Sequence, residues 1–258
     1  MIRAFGAVVP AHNEQELLPA SLQALKTAAN QGGVPPVRII VVADDCTDAT
    51  ADVARAAGCE VIEVHLRSAG AARSIGFDLL VRSADVDLEH LWLCTTDADS
   101  RVPDHWFLHL ALKEAEGFDA VVGTVIVDDW SERNELTKRR FLRHYGYSGD
   151  NHEHVHGANL GFSGIAFCSV GGFPPLALAE DHALVDVLTK HNLRICRTGN
   201  APVITSARRD WRASGGFGTL LNSIDELHCQ RDLTHDAQRK GEGYSGHEFE
   251  KKCDCGRN

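Results

Sequence analysis

Short apolar segments alternate with helix-like segments through the first part of the chain, and this alternation limits the possible folds more than any other feature. The segments rich in β-forming residues are 5–9, 37–43, 60–64 and 91–94. The segments of helical character lie near 18–30, 47–57 and 69–83. Pro19 suits the first turn of the first helix, and Gly58 suits the position just past the second. This order predicts an α/β fold in which a parallel sheet carries helices on its faces.

The second half of the chain is less regular. We predict a strand at 120–127, an apolar stretch at 160–173, a helix near 180–191, and strands near 193–197 and 202–205. No repeat or linker-like stretch separates two domains, so we predict a single domain over 1–231 with halves at 1–100 and 101–231. Residues 232–258 are polar and glycine-rich, which predicts a flexible tail.

The composition narrows the class of protein and its partners. With 258 residues, 43% of them apolar, the chain can bury a substantial core. A formal net charge of −10 argues against nucleic acid and against anionic membrane surfaces, because both attract basic patches. No apolar stretch approaches the ~20 residues that span a bilayer, so we expect no transmembrane segment. The eight cysteines are scattered, which indicates free thiols in a reducing compartment and a cytoplasmic protein.

Polar side chains follow three of the predicted strands at the point where each strand ends. They are His12, Asn13 and Glu14 after the first strand, Asp44, Asp45, Thr47 and Asp48 after the second, and Asp97 and Asp99 after the strand at 91–94. Each group alone could serve as a helix cap. Because ligands of open parallel sheets bind beyond the carboxyl ends of the strands, the three groups together indicate a ligand site.

Two Asp-x-Asp sequences lie close together in this region, and strand direction separates them. Asp85 and Asp87 precede the strand at 91–94, whereas Asp97 and Asp99 follow it, on the side of Asp44. Carboxylates are hard ligands suited to Mg²⁺ or Mn²⁺, and such ions complete their coordination with phosphates and water. The second pair therefore predicts a metal site through which an acidic cleft could accept a diphosphate.

Six motifs carry a family resemblance through their order and spacing. They are "VVPAHNEQELLPASLQAL", "IIVVADDCTDATADVA", "AGAARSIG", the Asp-x-Asp after a strand, "GANLGFSGIAFCSVGGF" and "AEDHAL". Over roughly residues 4 to 205 the chain resembles the family 2 glycosyltransferases of GT-A fold. The resemblance implies a Rossmann-like, mostly parallel central sheet flanked by helices on both faces. It also implies transfer of a sugar from a nucleoside-diphosphate donor to an acceptor hydroxyl, with inversion at the anomeric carbon.

The resemblance implies a role for individual residues. Asp181 would be the general base and Asp99, with Asp97, would hold Mg²⁺ or Mn²⁺. The donor nucleotide, of UDP or GDP type, would lie in the half at 1–100, against Pro10, His12, Glu14, Asp44, Arg73 and Asp97. The acceptor would lie in the half at 101–231, against His156, Gly157, Asn159 and Glu180. Apart from the resemblance, the three arginines Arg208, Arg209 and Arg212 in "TSARRDWRASGGFG" predict a glycine-hinged flap that closes over the diphosphate.

Several of these residues also have a simpler interpretation. Asp181 could be an acidic residue that favours a helix N-terminus, Arg73 a surface helix residue, and the three arginines a solvated loop. His152, His154 and His156 alternate in "DNHEHVHGAN", so zinc binding and an acceptor loop both stay open, with the acceptor loop favoured. Cys253 and Cys255 lack the usual spacing of zinc knuckles and are left as part of the tail.

Other functions predict other motifs. A sugar-nucleotide nucleotidyltransferase needs a glycine-rich, basic phosphate loop after the first strand, and an NAD-dependent enzyme needs Gly-x-Gly-x-x-Gly there. The chain has "PAHNEQE" instead. A catalytically inactive nucleotide-binding module would not need Asp181. In the absence of a strongly amphipathic basic segment we expect a soluble acceptor; the sugar, the base and the oligomeric state are not predicted.

Overall fold

The computed structural model describes residues 1–145, 149–174, 176, 178–210 and 217–224. The strands are β1 (Ala4–Ala11), β2 (Val37–Asp44), β3 (Glu60–Val64), β4 (Leu91–Thr95), β5 (Ala120–Ile126), β6 (Leu160–Ser163) and β7 (Ile195–Ile204). The helices include α1 (Leu18–Ala29), α2 (Thr50–Ala56), α3 (Ala69–Arg82), α4 (Trp106–Ala115), α5 (Glu135–Tyr145), α6 (Gly164–Ser169) and α7 (Glu180–Lys190), and residues 217–224 are also helical. The predicted tail at 232–258, with Cys253 and Cys255, lies outside the described residues.

The strands form one seven-stranded sheet in the order β3-β2-β1-β4-β6-β5-β7. Only β6 runs antiparallel to its neighbours β4 and β5 within this sheet. The predicted mostly parallel α/β sheet is therefore confirmed. The two strands predicted near 193–197 and 202–205 are one strand, β7, whose pairing with β5 shifts register between Gly123 and Val125.

The sheet is buried on both faces because its apolar residues point alternately to opposite sides. On β1, Phe5, Ala7 and Val9 join a core with α1 and α4, whereas Val8 joins a second core with α3, α6 and α7. Gly76 lets α3 approach the sheet closely, since a Cβ at that position would lie 2.6 Å from a methyl group of Val8. Helices therefore cover both faces, as predicted.

Helices α4 and α5 were not predicted from the sequence. Helix α4 buries Trp106, Phe107 and Leu110, so its helical apolar spacing could have been detected. Helix α5 buries Phe141 and Tyr145 within a polar stretch, which conceals its periodicity. Among the described helices, none has the length and hydrophobicity needed to cross a membrane.

Candidate functional site

A cavity of about 740 Å³ opens at the carboxyl edge of the sheet. The residues predicted to bind the donor all line it: Pro10, His12, Glu14, Asp44, Arg73 and Asp97. So do Asp99, the predicted base Asp181 and, from the flap, Arg208. The structure thus brings together residues from distant parts of the sequence, whereas Asp85 and Asp87 are exposed and precede β4, at the opposite edge of the sheet.

Arg73 connects the two sides of this cavity. Its side chain is only 5% exposed, and its guanidinium donates to Asp97 at 2.6 Å and to Glu180. Room for the guanidinium depends on Gly157, because a Cβ there would lie 2.4 Å from Arg73 Nη2. Glu180, predicted to face the acceptor, lines the cavity but is buried against Arg73, and this ion pair fixes the start of α7 against α3.

Arg208 neutralises the carboxylates on the other side of the cavity. Its Nη1 donates to Glu14 Oε2 at 2.7 Å, a second bond joins the same two groups, and its Nη2 lies 3.2 Å from Asp99 Oδ2. Its buried Nε has no hydrogen-bond partner among the described residues. A buried guanidinium with an unused donor can donate a charge-assisted hydrogen bond to an anionic ligand such as a phosphate.

The carboxylates here suit a divalent cation. Burial raises the pKa of Asp99 to about 7, and the nearby negative charges of Asp97 and Glu14 add to the effect. An additional cation would relieve this cost of ionisation. Within the described residues no group of three His, Cys, Asp or Glu side chains is arranged to hold a metal alone. The residues therefore fit Mg²⁺ or Mn²⁺ held by one or two carboxylates with substrate phosphates and water.

Asp44 uses its own hydrogen bonds to shape the side of the cavity where the nucleotide is predicted to lie. Its carboxylate accepts backbone N–H bonds from Leu66, Arg67 and Ser68 at 2.6, 2.9 and 2.7 Å, which fixes the loop between β3 and α3. Its carbonyl oxygen lies 2.7 Å from His12 Nδ1. This loop contributes Arg67 and Ser68 to the cavity, two residues that sequence reasoning missed.

Asp181 lies in the first turn of α7 and lines the cavity. Gly157 N donates to its Oδ2 at 2.8 Å, and His182 N donates to its Oδ1 at 2.8 Å. The preceding Ala179 has φ 57°, a left-handed conformation that is costly for a residue with a Cβ. The carboxylate is thus oriented by backbone groups, and each oxygen keeps acceptor capacity for a substrate proton.

The three alternating histidines form a stack rather than a metal site. The ring centroids of His152 and His154 are 5.8 Å apart, and those of His154 and His156 are 6.2 Å apart. His154 also stacks on Tyr145, whose hydroxyl lies 2.6 Å from His156 Nε2. Because the rings are parallel and their nitrogens contact different oxygen atoms, the possible zinc site is not formed.

His156 should make stability depend on pH. Burial lowers its pKa from 6.5 to about 4, although Asp181 opposes the shift. Between these two values the unfolded chain binds a proton at this ring that the folded protein does not, so the free energy of unfolding falls as pH drops from about 6.5 to 4. The loss in the free energy of unfolding over this whole pH range is at most about 3 kcal/mol. Urea denaturation at pH 7 and pH 5 should show a smaller pH effect in His156→Gln; equal effects would contradict this assignment.

Two predicted site residues do not face the cavity. Asn159 is buried and donates to Thr124 O and Ala201 O, both at 2.9 Å, while it accepts from Trp106. Its prediction as an acceptor contact is therefore replaced by a structural role between β5 and β7. Arg209 donates to Glu132 O at 2.7 Å, away from the cavity lining. Arg212 lies outside the described residues.

The side of the cavity where the acceptor is predicted to lie has an apolar wall that sequence reasoning missed. It contains Val155, Leu178, Phe217 and Leu220. Leu178 and Leu220 remain 52% and 42% exposed, so they lie at the mouth of the cavity. Val155, Leu178 and the helix at 217–224 are far apart in the sequence, and only the tertiary structure brings them together.

The family follows from comparison with known sequences. The family model described as glycosyl transferase family 2 matches residues 7–172. The chain belongs to glycosyl transferase family 2. Undecaprenyl-phosphate 4-deoxy-4-formamido-L-arabinose transferase of Serratia proteamaculans is 36% identical over 140 residues, which are 52% of this chain and 41% of that protein. The enzyme of the same name from Salmonella typhimurium is 31% identical over 124 residues, 48% of this chain and 37% of that protein. The family 2 chain studied here thus spans about two fifths of the length of these relatives.

Solved structures show that this family 2 member has the GT-A fold. Staphylococcus aureus TarS 1-349 in complex with UDP-GlcNAc superposes with a TM-score of 0.60 at 15% identity, over 84% of this chain and 62% of that one. The mannosyltransferase PcManGT of Pyrobaculum calidifontis, in complex with GDP-Man and Mn²⁺, has a TM-score of 0.57 at 18% identity, over 80% and 57%. The predicted family and the predicted fold are both confirmed.

Proposed function

We propose that the protein is a metal-dependent, inverting glycosyltransferase that moves a sugar from a nucleoside-diphosphate sugar to an acceptor hydroxyl. The observation that carries this proposal is the arrangement of Asp97, Asp99 and Asp181 around one cavity, with Arg73 between them. Asp97 and Asp99, at the strand edge, can bind a cation together with the diphosphate. Asp181, at the start of α7, can act as the proton acceptor.

The donor is proposed to lie along the edge formed by β1, β2 and β4. Pro10, His12 and Asp44 would contact the nucleoside, and Asp97 the ribose or sugar. Arg208 would pair with the diphosphate through the guanidinium that now contacts Glu14 and Asp99. The complexes of the related folds with UDP-GlcNAc and with GDP-Man and Mn²⁺ support a UDP or GDP donor and a manganese or magnesium ion.

Asp181 is proposed to take the proton of the acceptor hydroxyl as the new glycosidic bond forms. A base opposite the diphosphate favours attack on the far side of the anomeric carbon, which inverts its configuration. A divalent cation bound at Asp99 would neutralise charge on the leaving diphosphate. The chain's own groups hold the geometry: Gly157 N orients Asp181, and Arg73 fixes the adjacent Glu180.

Two other functions compete with this proposal. A nucleotidyltransferase would share the sheet and the metal ligands, but "PAHNEQE" replaces its glycine-rich basic loop. An inactive nucleotide-binding module would have no need for Asp181 in the cavity. Incubation with UDP- and GDP-sugars and Mn²⁺ tests all three, because slow hydrolysis that releases UDP or GDP is expected only of a transferase. Release of pyrophosphate from a nucleoside triphosphate and a sugar phosphate would instead identify a nucleotidyltransferase.

The acceptor and the compartment are less constrained by the cavity. The prediction of a soluble acceptor depends on the absence of a strongly amphipathic basic segment, and α5 is a basic amphipathic helix, so the structure removes that reason. The relatives named as undecaprenyl-phosphate transferases indicate that an amphiphilic acceptor fits the proposal equally well.

The cysteines bear on the compartment. Free thiols are present at Cys46, Cys59, Cys94, Cys168 and Cys196, which supports the proposed cytoplasmic location.

Replacing Arg208 with alanine should weaken binding of a nucleoside diphosphate more than binding of the nucleoside. The guanidinium lies beside the predicted metal ligand and has an unused donor, whereas Arg209→Ala changes an arginine that faces Glu132. We expect a loss of about tenfold or more for UDP or GDP, typical of a charge-assisted bond, and little change for uridine or guanosine. Isothermal titration of both ligands checks this. Equal effects on nucleoside and nucleotide, or equal effects of the two variants, would contradict it.

A further inference from the structure

The outward surface of α5 is unusually basic for an acidic protein. The helix carries four Lys or Arg side chains and one acidic side chain, in a chain whose formal net charge is −10. Its basic side chains are Lys138, Arg139, Arg140 and Arg143. Other exposed arginines have acidic partners, such as Arg38 with Glu60 and Arg82 with Asp78. On α5, Lys138 and Arg139 share Glu135 at 4.0 and 3.9 Å, and Arg143 forms no ion pair within the described residues.

An exposed leucine lies among these charges. Leu142 is 54% exposed and Arg139 is 72% exposed, and a spacing of three residues places them on one side of the helix with the exposed Arg143. We call Lys138, Arg139, Leu142 and Arg143 the basic face. Because exposed charges are screened beyond about 10 Å, an approaching surface responds to this face more than to acidic residues elsewhere.

The opposite side of α5 connects this face to the cavity. Phe141 is 2% exposed and its ring lies 5.5 Å from Phe217, which lines the acceptor side. Tyr145 bonds to His156, which lines the same side. Leu178 and Leu220 at the cavity mouth are themselves exposed. The basic face and the apolar mouth thus belong to one packed region.

We propose that the basic face of α5 docks on an anionic lipid bilayer. Arginine and lysine side chains beside an exposed leucine match the chemistry of a surface that presents negative headgroups above acyl chains. Docking there would bring the apolar wall of the cavity near the lipid, where an amphiphilic acceptor could enter. This surface goes beyond the proposed sugar transfer and does not depend on it, because it requires neither donor nor metal.

Co-sedimentation with vesicles tests the proposal. The whole protein should bind vesicles that contain phosphatidylglycerol and not vesicles of phosphatidylcholine alone, and added salt should weaken binding. Each basic residue near an anionic surface strengthens binding about fivefold, so Arg139→Glu with Arg143→Glu should weaken it roughly 20-fold or more. Arg3→Glu with Arg82→Glu makes the same charge change at exposed positions outside α5 and should have a much smaller effect. Equal binding to both vesicles, or equal effects of the two double variants, would overturn the proposal.

A second variant distinguishes a bilayer from a soluble polyanion. Leu142→Ser removes an exposed side chain, so the fold should persist, and it should weaken vesicle binding without changing binding of heparin. If the variant binds vesicles as well as the unaltered protein does, while heparin binding depends on Arg139 and Arg143, the face recognises a soluble polyanion and the bilayer proposal fails. Circular dichroism of every variant confirms that the helix content is unchanged.

Discussion

Asp181→Asn should lower the rate of sugar transfer by a factor of order 10² or more while donor affinity stays nearly unchanged. The amide keeps the size of the side chain and can still accept from Gly157 N, but it cannot take a proton from the acceptor. Steady-state rates and donor titration of the same preparation separate these effects. A parallel loss of donor binding and turnover would assign Asp181 a structural role.

Helix α7 offers a matched control for this variant. Asp186 lies on the same helix, is exposed and does not line the cavity, so Asp186→Asn should leave transfer unchanged. Glu180→Gln gives a different expectation, because it weakens the buried ion pair with Arg73 and should lower the melting temperature as well as the rate. The pattern across the three variants distinguishes a base from a residue that only positions α7.

Asp99→Ala should abolish the metal-dependent part of sugar-nucleotide binding. The carboxylate lies in the cavity beside Glu14 and Asp97, whose charges favour a cation at this point. Asp97→Ala should impair donor binding or transfer, and it also removes one partner of the buried Arg73. Calorimetric titration of donor with and without Mn²⁺ measures both effects.

The upstream Asp-x-Asp provides the control for that experiment. Asp85→Ala and Asp87→Ala change exposed residues at the opposite edge of the sheet, so donor binding should be unaffected. Their effect on stability should not exceed about 0.5 kcal/mol. If metal-dependent binding survives Asp99→Ala but is lost with Asp87→Ala, the site lies at the opposite edge of the sheet from the one proposed.

The sequence predicts the first four strands and first three helices well because local patterns and the global fold agree there. The orientation of β6 depends on its pairing with both β4 and β5, which no local pattern encodes. The two strands predicted in place of β7 reflect an irregularity opposite Gly123, where the register shifts. Helix α5 was not predicted because only a few aromatic residues form its buried side, and they lie within a basic stretch.

The position of the site could be predicted from strand direction, but its contacts could not. Arg208 and Glu14 are separated by 194 residues, so their ion pair depends entirely on the fold. Asn159 lies in the same motif as Gly157, yet its amide is used to join β5 to β7. A motif therefore locates a region, whereas burial and hydrogen bonds decide which of its side chains face a ligand.

The most direct test of a metal-dependent sugar-nucleotide site is the melting temperature of the unaltered protein with UDP-, GDP- and dTDP-sugars, each with and without Mn²⁺. A ligand that binds only the folded state must raise its stability, by about 2.7 kcal/mol at a concentration 100 times its Kd. We predict a clear increase with a UDP- or GDP-sugar only when Mn²⁺ is present, and none in Asp99→Ala. An increase of the same size without Mn²⁺, or no increase with any sugar nucleotide, would contradict the account.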